Sequence, residues 1–230
     1  MLDIKHNFIE KGTGEYLILL HGNGENLSYF KHQLDFFSKS FHVIALDTRG
    51  HGNTPRGEAP FTIRQFADDL YAFMDNHNIP KAHILGFSDG GNIAMIFALK
   101  YPDKVDKLIL NGANLFGRGV KMSVQLPVIY DYCKYRLSAQ KNPKAKRKAE
   151  LYGLMVFDPN LKPRDLKAIS SRTLVIAGEN DMIKTSHTKL IHSSLSDSEL
   201  AIIPGNHFIA YKNYKTFNSI VYNFLQKESY

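Results

Sequence analysis

The stretch Leu85-Gly86-Phe87-Ser88-Asp89-Gly90-Gly91 contains the pattern G-x-S-x-G. An apolar, strand-like run from Ala82 to Phe87 leads into it, and a helix-like run from Asn92 to Lys100 leaves it. This order predicts a strand, a sharp turn with serine at its apex, and a helix. A serine at such a turn is held in a strained backbone and projects its hydroxyl into open space. The glycines let strand and helix approach to a distance that a side chain would block. The competing reading is a glycine-rich turn with an incidental serine, so the decision falls to its partners.

Outward from this turn, short apolar runs recur. They are Tyr16 to Leu20, Val43 to Leu46, His83 to Leu85, Leu108 to Leu110, Thr173 to Ala177 and Leu200 to Ile203. Continuous apolar runs of this length mark strands covered on both faces. Helical spacing fills the gaps. Thr62 with Gln65 reads as a capping box, followed by Ile63, Phe66, Ala67, Leu70, Phe73 and Met74 at helical intervals. Lys184 to Leu195 and Asn213 to Leu225 predict two further helices. Alternating strands and helices predict an α/β fold with a mostly parallel sheet flanked by helices. Leu2 to Glu10 is expected to add one or two short antiparallel edge strands.

Residues 115–161 interrupt the alternation. Val124, Val128, Ile129, Tyr132 and Leu137 give a loose helical pattern, and Asn142-Pro143 reads as an N-cap with proline at the first helical position. A structureless loop of that length is improbable in a compact domain. The segment is expected to be a small helical insertion, a cap, with residues 1–114 and 162–230 forming the core.

Composition narrows the classes. The chain has 230 residues, 43 % hydrophobic and 22 % charged, which suits one domain with an insertion. No run of 18 apolar residues occurs, so no integral membrane segment is expected. The start, Met1-Leu2-Asp3-Ile4-Lys5-His6, does not resemble a secretory signal. Cys133 is the single cysteine, so no internal disulfide is possible, and a cytoplasmic location is expected. The net charge of +7 is local: Lys134, Arg136, Lys141, Lys144, Lys146, Arg147 and Lys148 fall in one window without an acid, and the rest is balanced. No nucleic-acid-reading module accompanies them, so no nucleic-acid partner is expected. They read as a solvated helix face, or as a field for anionic substrates or an anionic surface. No Cys/His/Asp/Glu grouping has metal-ligand spacing, and no metal or cofactor is expected.

A serine hydroxyl needs a base, and the base needs an orienting acid. In sheets of this kind, functional groups lie beyond the carboxyl ends of strands. Gly178-Glu179-Asn180-Asp181 follows one strand and Pro204-Gly205-Asn206-His207 the next. Ser88, Asp181 and His207 therefore stand in the order serine, acid, histidine. Glu179 competes with Asp181, and His207 alone would pass for a loop histidine. A developing oxyanion requires two backbone N–H donors. The candidates are Asp89, directly after the serine, and Asn23, in His21-Gly22-Asn23-Gly24 after the first long strand. His21 reads as structural.

Together with Asp47-Thr48-Arg49-Gly50-His51-Gly52-Asn53-Thr54, these motifs resemble the α/β-hydrolase fold over nearly the whole chain. The resemblance implies an eight-stranded sheet with a helical cap over the site, here with its N-terminal strands abbreviated. It implies a structural role for Asp47 to Thr54. Some relatives place the acid where Asn111 stands, and an amide cannot serve there. Ser88 sets the chain apart from haloalkane dehalogenases and epoxide hydrolases, which carry aspartate at that position. The sequence Gly-x-Ser-Asp-Gly-Gly is similar to that of valacyclovir-hydrolase-like esterases. The expected activity is serine hydrolysis of a small, largely apolar carboxylic ester through an acyl-enzyme. A carbon–carbon bond hydrolase, a thioesterase, or a non-catalytic small-molecule binder of the same fold are the alternatives. Met122, Val124, Leu126, Ile129, Leu154 and Met155, with Val128, Tyr130, Leu151 and Phe157, are expected to line or seat the roof of an apolar pocket.

Overall fold

The computed structural model describes residues 3–227. Leu2, the first residue of the expected N-terminal edge, lies outside them. A seven-stranded sheet in the order β1-β3-β2-β4-β5-β6-β7 forms the centre. The elements run β1 Phe8–Lys11, β2 Tyr16–Leu20, α1 Lys31–Phe37, β3 His42–Leu46, α2 Ile63–Asn76, β4 Ala82–Phe87, α3 Asp89–Lys100 and β5 Val105–Asn111. They continue with α4 Met122–Ser138, α5 Pro143–Phe157, β6 Arg172–Asn180, α6 Thr185–Ser194, β7 Ser198–Asn206, α7 Ile209–Lys212 and α8 Tyr214–Leu225. Only β1 is antiparallel, against β3; the other pairs are parallel. One edge strand is thus present at the N-terminus, and seven strands replace the eight that the resemblance implies.

Side chains of successive strand residues point to opposite faces. Ile18 and Leu20 enter one core with Ile63, Phe66 and Leu70 of α2. Leu17 and Leu19 enter the other with Phe37 of α1 and Phe217, Val221 and Phe224 of α8. That double covering is why the strands read as unbroken apolar runs.

Two expectations need correction. Gly178-Glu179-Asn180 and Pro204-Gly205-Asn206 are not loops. They extend β6 and β7, which remain paired as far as Asn180 and Asn206 across an irregularity after Gly178. The capping box at Thr62 is half made. Thr62 accepts from Gln65 N at 3.2 Å, but the Gln65 amide donates to Asp69 Oδ1 at 3.0 Å instead of returning to the cap. Asp69 draws it there because it also binds Arg49, whose side chain is wholly buried, with contacts of 2.7 Å to Nε and Nη2. By contrast Asn142 caps α5 through Lys144 N and Ala145 N, with Pro143 at the first position.

Segment 115–161 holds α4 and α5, packed on each other and tied to the rest of the chain. Arg56 pairs with Glu150 at 2.8 Å, Ile63 N donates to Asp158 Oδ2 at 3.4 Å, and Lys121 N donates to Met182 O at 2.8 Å. No described helix is long and apolar enough to cross a membrane.

The closest backbone approach lies between β2, β4 and α3. A Cβ on Gly90 would sit 2.0 Å from Leu20 O, and one on Gly86 would sit 2.2 Å from Gly90 O. Gly90→Ala is therefore expected to cost about 3 kcal/mol through overpacking against backbone that cannot yield. Urea denaturation would measure it, and an unchanged midpoint would contradict this contact.

Candidate active site

Ser88 occupies the step from β4 to α3 with φ 53° and ψ −119°. Such a backbone costs a non-glycine residue about 1–3 kcal/mol and persists only where its surroundings fix it. Here Ser88 N donates to Asn111 O at 2.8 Å, and Ser88 O accepts from Gly91 N at 2.8 Å and Asn92 N at 3.1 Å. The hydroxyl is half-buried. Ser88 Oγ lies 3.0 Å from His207 Nε2, and His207 Nδ1 lies 2.7 Å from Asp181 Oδ1. A neutral imidazole satisfies both contacts when Nδ1–H donates to the carboxylate and Nε2 accepts from the hydroxyl. Asp181 Oδ1 also accepts from Ile183 N at 2.8 Å. Asp181 and His207 are buried, whereas Glu179, the competing acid, is exposed.

The loop from His21 to Glu25 passes directly over the serine: a Cβ on Gly22 would lie 3.2 Å from Ser88 Cβ. His21 is structural, with Nδ1–H donating to Gly22 O at 2.8 Å and Nε2 accepting from Thr48 N at 3.1 Å. Burial lowers the His21 pKa, which keeps that neutral arrangement. Asp47 Oδ1 accepts from Leu27 N at 2.7 Å, so the Asp47 to Thr54 turn anchors the far end of the loop. Among the described residues, neither Asn23 N–H nor Asp89 N–H donates to a protein acceptor. The Asn23 side chain reaches α5, donating to Leu151 O at 2.8 Å. Burial pushes the Asp89 carboxyl up to about 6, against the pull of the Asn23 and Asn92 amides.

Several neighbours carry no clear signal in the sequence. Gly112 has φ 61°, and a Cβ there would lie 2.8 Å from His207 Cε1. Its only sequence mark is its place directly after a strand. Phe87 stacks on Tyr29 at 4.4 Å, and its ring centroid lies 4.8 Å from that of His207. Glu25 is raised by burial to about 7, although the Gly22 N–H and His207 both draw it down. Its Oε2 and the Tyr29 hydroxyl are buried without a partner among the described residues.

The expected roof residues separate. Met122 and Ile129 line a cavity of about 600 Å³ with Phe116, Gln125, Val156 and Phe157. Leu126 is 56 % exposed, and Leu126, Val124 and Met155 lie outside its lining. Leu154 is buried in the main core, packing α5 against it. These four depart from the expectation: Val124 and Leu126 lie on α4 and Leu154 and Met155 on α5, and helical period alone does not say which face of either helix turns toward a cavity. Ser88 is also outside the lining of this cavity.

A sequence profile of the alpha/beta hydrolase fold matches residues 15–135. The chain belongs to this family and is a hydrolase. It is 27 % identical to a putative carbamate hydrolase, RutD, of Caulobacter sp. (strain K31), covering 93 % of this chain and 91 % of that one. It is 28 % identical to the human serine hydrolase BPHL, covering 97 % and 84 %. The enol-lactonase from Burkholderia xenovorans LB400 superposes with a TM-score of 0.83 over 97 % of both chains, a likeness of fold at 19 % identity.

Glu25 yields a pH test. Its folded pKa of about 7 exceeds the ordinary 4.5. Between those values the folded state binds the proton more tightly than the unfolded chain, so stability falls as pH rises through the window. Glu25→Gln is expected to melt higher than the parent at about pH 8, by at most about 3 kcal/mol, and equally below about pH 4. Parallel melting curves of the two proteins across that range would contradict the raised value.

Proposed function

We propose that the chain is a serine hydrolase of small, largely apolar carboxylic esters. The observation that carries this reading is the continuous path from Ser88 Oγ to His207 Nε2 and from His207 Nδ1 to Asp181 Oδ1. Ser88 Oγ bonds the substrate carbonyl carbon while His207 Nε2 takes its proton. The carbonyl π pair moves to oxygen, where the N–H groups of Asn23 and Asp89 receive it. Such a donor is worth about 10²–10³ in rate. Asp181 holds the imidazolium in place. His207 then gives the proton to the leaving alkoxide as the C–O bond breaks, which leaves an acyl-Ser88. Water, deprotonated by His207, attacks that ester and restores Ser88.

Next to the triad, Tyr29, Phe208 and Tyr211 line a cavity of about 360 Å³ with Glu25 and Lys212, and Phe208 packs on the His207 ring; that apolar surface supports a hydrophobic acyl or aryl group. Carbamate and lactone carbonyls, the classes in the names of two relatives, are open to the same steps. The free, exposed Cys133 suits a reducing compartment, and we assign the enzyme to the cytoplasm.

A fluorophosphonate probe is expected to label Ser88 and to leave Ser88→Ala unlabelled, with the melting temperature of that variant close to the parent's. Asp181→Asn is expected to lower kcat by about 10⁴-fold, because an amide favours the wrong imidazole tautomer. A folded protein that does not label would end the catalytic reading. For p-nitrophenyl esters, kcat/KM is expected to climb about fourfold per added methylene over the shorter acyl chains. A flat series would rule out an apolar acyl site.

A further inference from the structure

The outer face of α4 is apolar. On a helix of 3.6 residues per turn, Met122, Leu126, Ile129, Tyr130, Cys133 and Leu137 fall within an arc of about 100°. All six are exposed, Tyr130 at 69 % and Leu137 at 89 %. A helix normally turns such a stripe inward. Here the inward face holds Gln125 and Val128 instead, and Gln125 donates to Met155 O at 3.3 Å. Phe157, 58 % exposed, shares a cavity lining with Met122 and Ile129, so the apolar surface continues past the helix.

Cations border this stripe. By the same helical spacing, Lys134 flanks one side of the arc and Arg136 the other. Lys141, Lys144, Lys146, Arg147 and Lys148 follow in the turn and on α5, all exposed. Among the described residues none of the seven is paired with a carboxylate. Two of them meet at the Tyr135 ring, Lys134 Nζ 5.5 Å and Lys148 Nζ 4.7 Å from its centroid. Of the two nearby acids, Glu150 pairs with Arg56, and Asp131, on the side of α4 away from the stripe, acts on Lys148 and Tyr152 rather than on Lys134 or Arg136.

We propose that this face of α4 seats on a lipid bilayer surface bearing anionic headgroups. An apolar stripe bordered by Lys and Arg is the composition of helices that lie in the plane of a membrane interface. Anionic headgroups supply the counter-charge that this chain withholds from the cluster. A symmetric dimer through the same face would instead bring the Lys134 and Arg136 of two copies together, which self-repulsion opposes. Tyr130, with an apolar ring and a polar tip, suits the headgroup depth. The inference is independent of the hydrolytic reading, and its test uses no substrate.

The test is co-sedimentation of the whole protein with vesicles of phosphatidylcholine alone and with about one-third phosphatidylglycerol. Partition at least about tenfold stronger to the anionic vesicles, weakened by raised salt, is expected. Tyr130→Ser/Leu137→Ser and Lys134→Glu/Arg136→Glu are each expected to reduce it about tenfold, with melting temperatures near the parent's. No partition to either vesicle would overturn the proposal. So would anionic binding that survives Tyr130→Ser/Leu137→Ser, since charge alone would then account for it. A lipid-independent dimer that the same double variant dissociates would assign the stripe to a second copy and overturn it as well.

Discussion

The backbone contact between β4 and α3 governs the rest of the molecule. Gly86 and Gly90 touch with no room for a methyl group, and Gly90 presses on Leu20 O of the neighbouring strand. That contact forces the chain to reverse within one residue, and the residue is Ser88. The positive φ there is a consequence of strand–helix approach, held by hydrogen bonds to Asn111, Gly91 and Asn92. Because Leu20 ends β2, the same contact fixes where the His21 to Glu25 loop begins. One steric constraint thus places both the hydroxyl and the loop that passes over it.

Electrostatics hold the surrounding loops rather than the chemistry itself. Asp47 reaches across from the end of β3 to the start of the turn at Leu27, and Thr48 N takes the second nitrogen of His21. Arg49 then joins this turn to α2 through Asp69. A buried guanidinium that lost its partner would carry a large penalty, so the turn is committed to one position.

The sequence exposes those features whose physics is local or periodic. Continuous apolar runs disclose a sheet covered on both sides, and the chain order of Ser88, Asp181 and His207 follows from each lying at a strand's carboxyl end. Asn142-Pro143 discloses a helix start because capping is a matter of adjacent residues. Other features depend on what the chain meets after folding. Gln65 leaves its cap for the charged carboxylate of Asp69, one turn further along α2. Gly112 matters only because the His207 ring, distant in sequence, lies over it. The apolar residues of α4 are visible as a loose period, yet that Gln125 is buried and Leu126 exposed depends on how α4 packs on α5, where Gln125 meets the Met155 carbonyl.

The bond from Asn23 Nδ2 to Leu151 O joins the loop over Ser88 to α5 through a main-chain acceptor. A carbonyl is present whatever side chain occupies position 151. Position 151 can therefore change its side chain while the seat of α5 on this loop stays intact. Such an arrangement separates variation in the helix from the preservation of the loop beside Ser88.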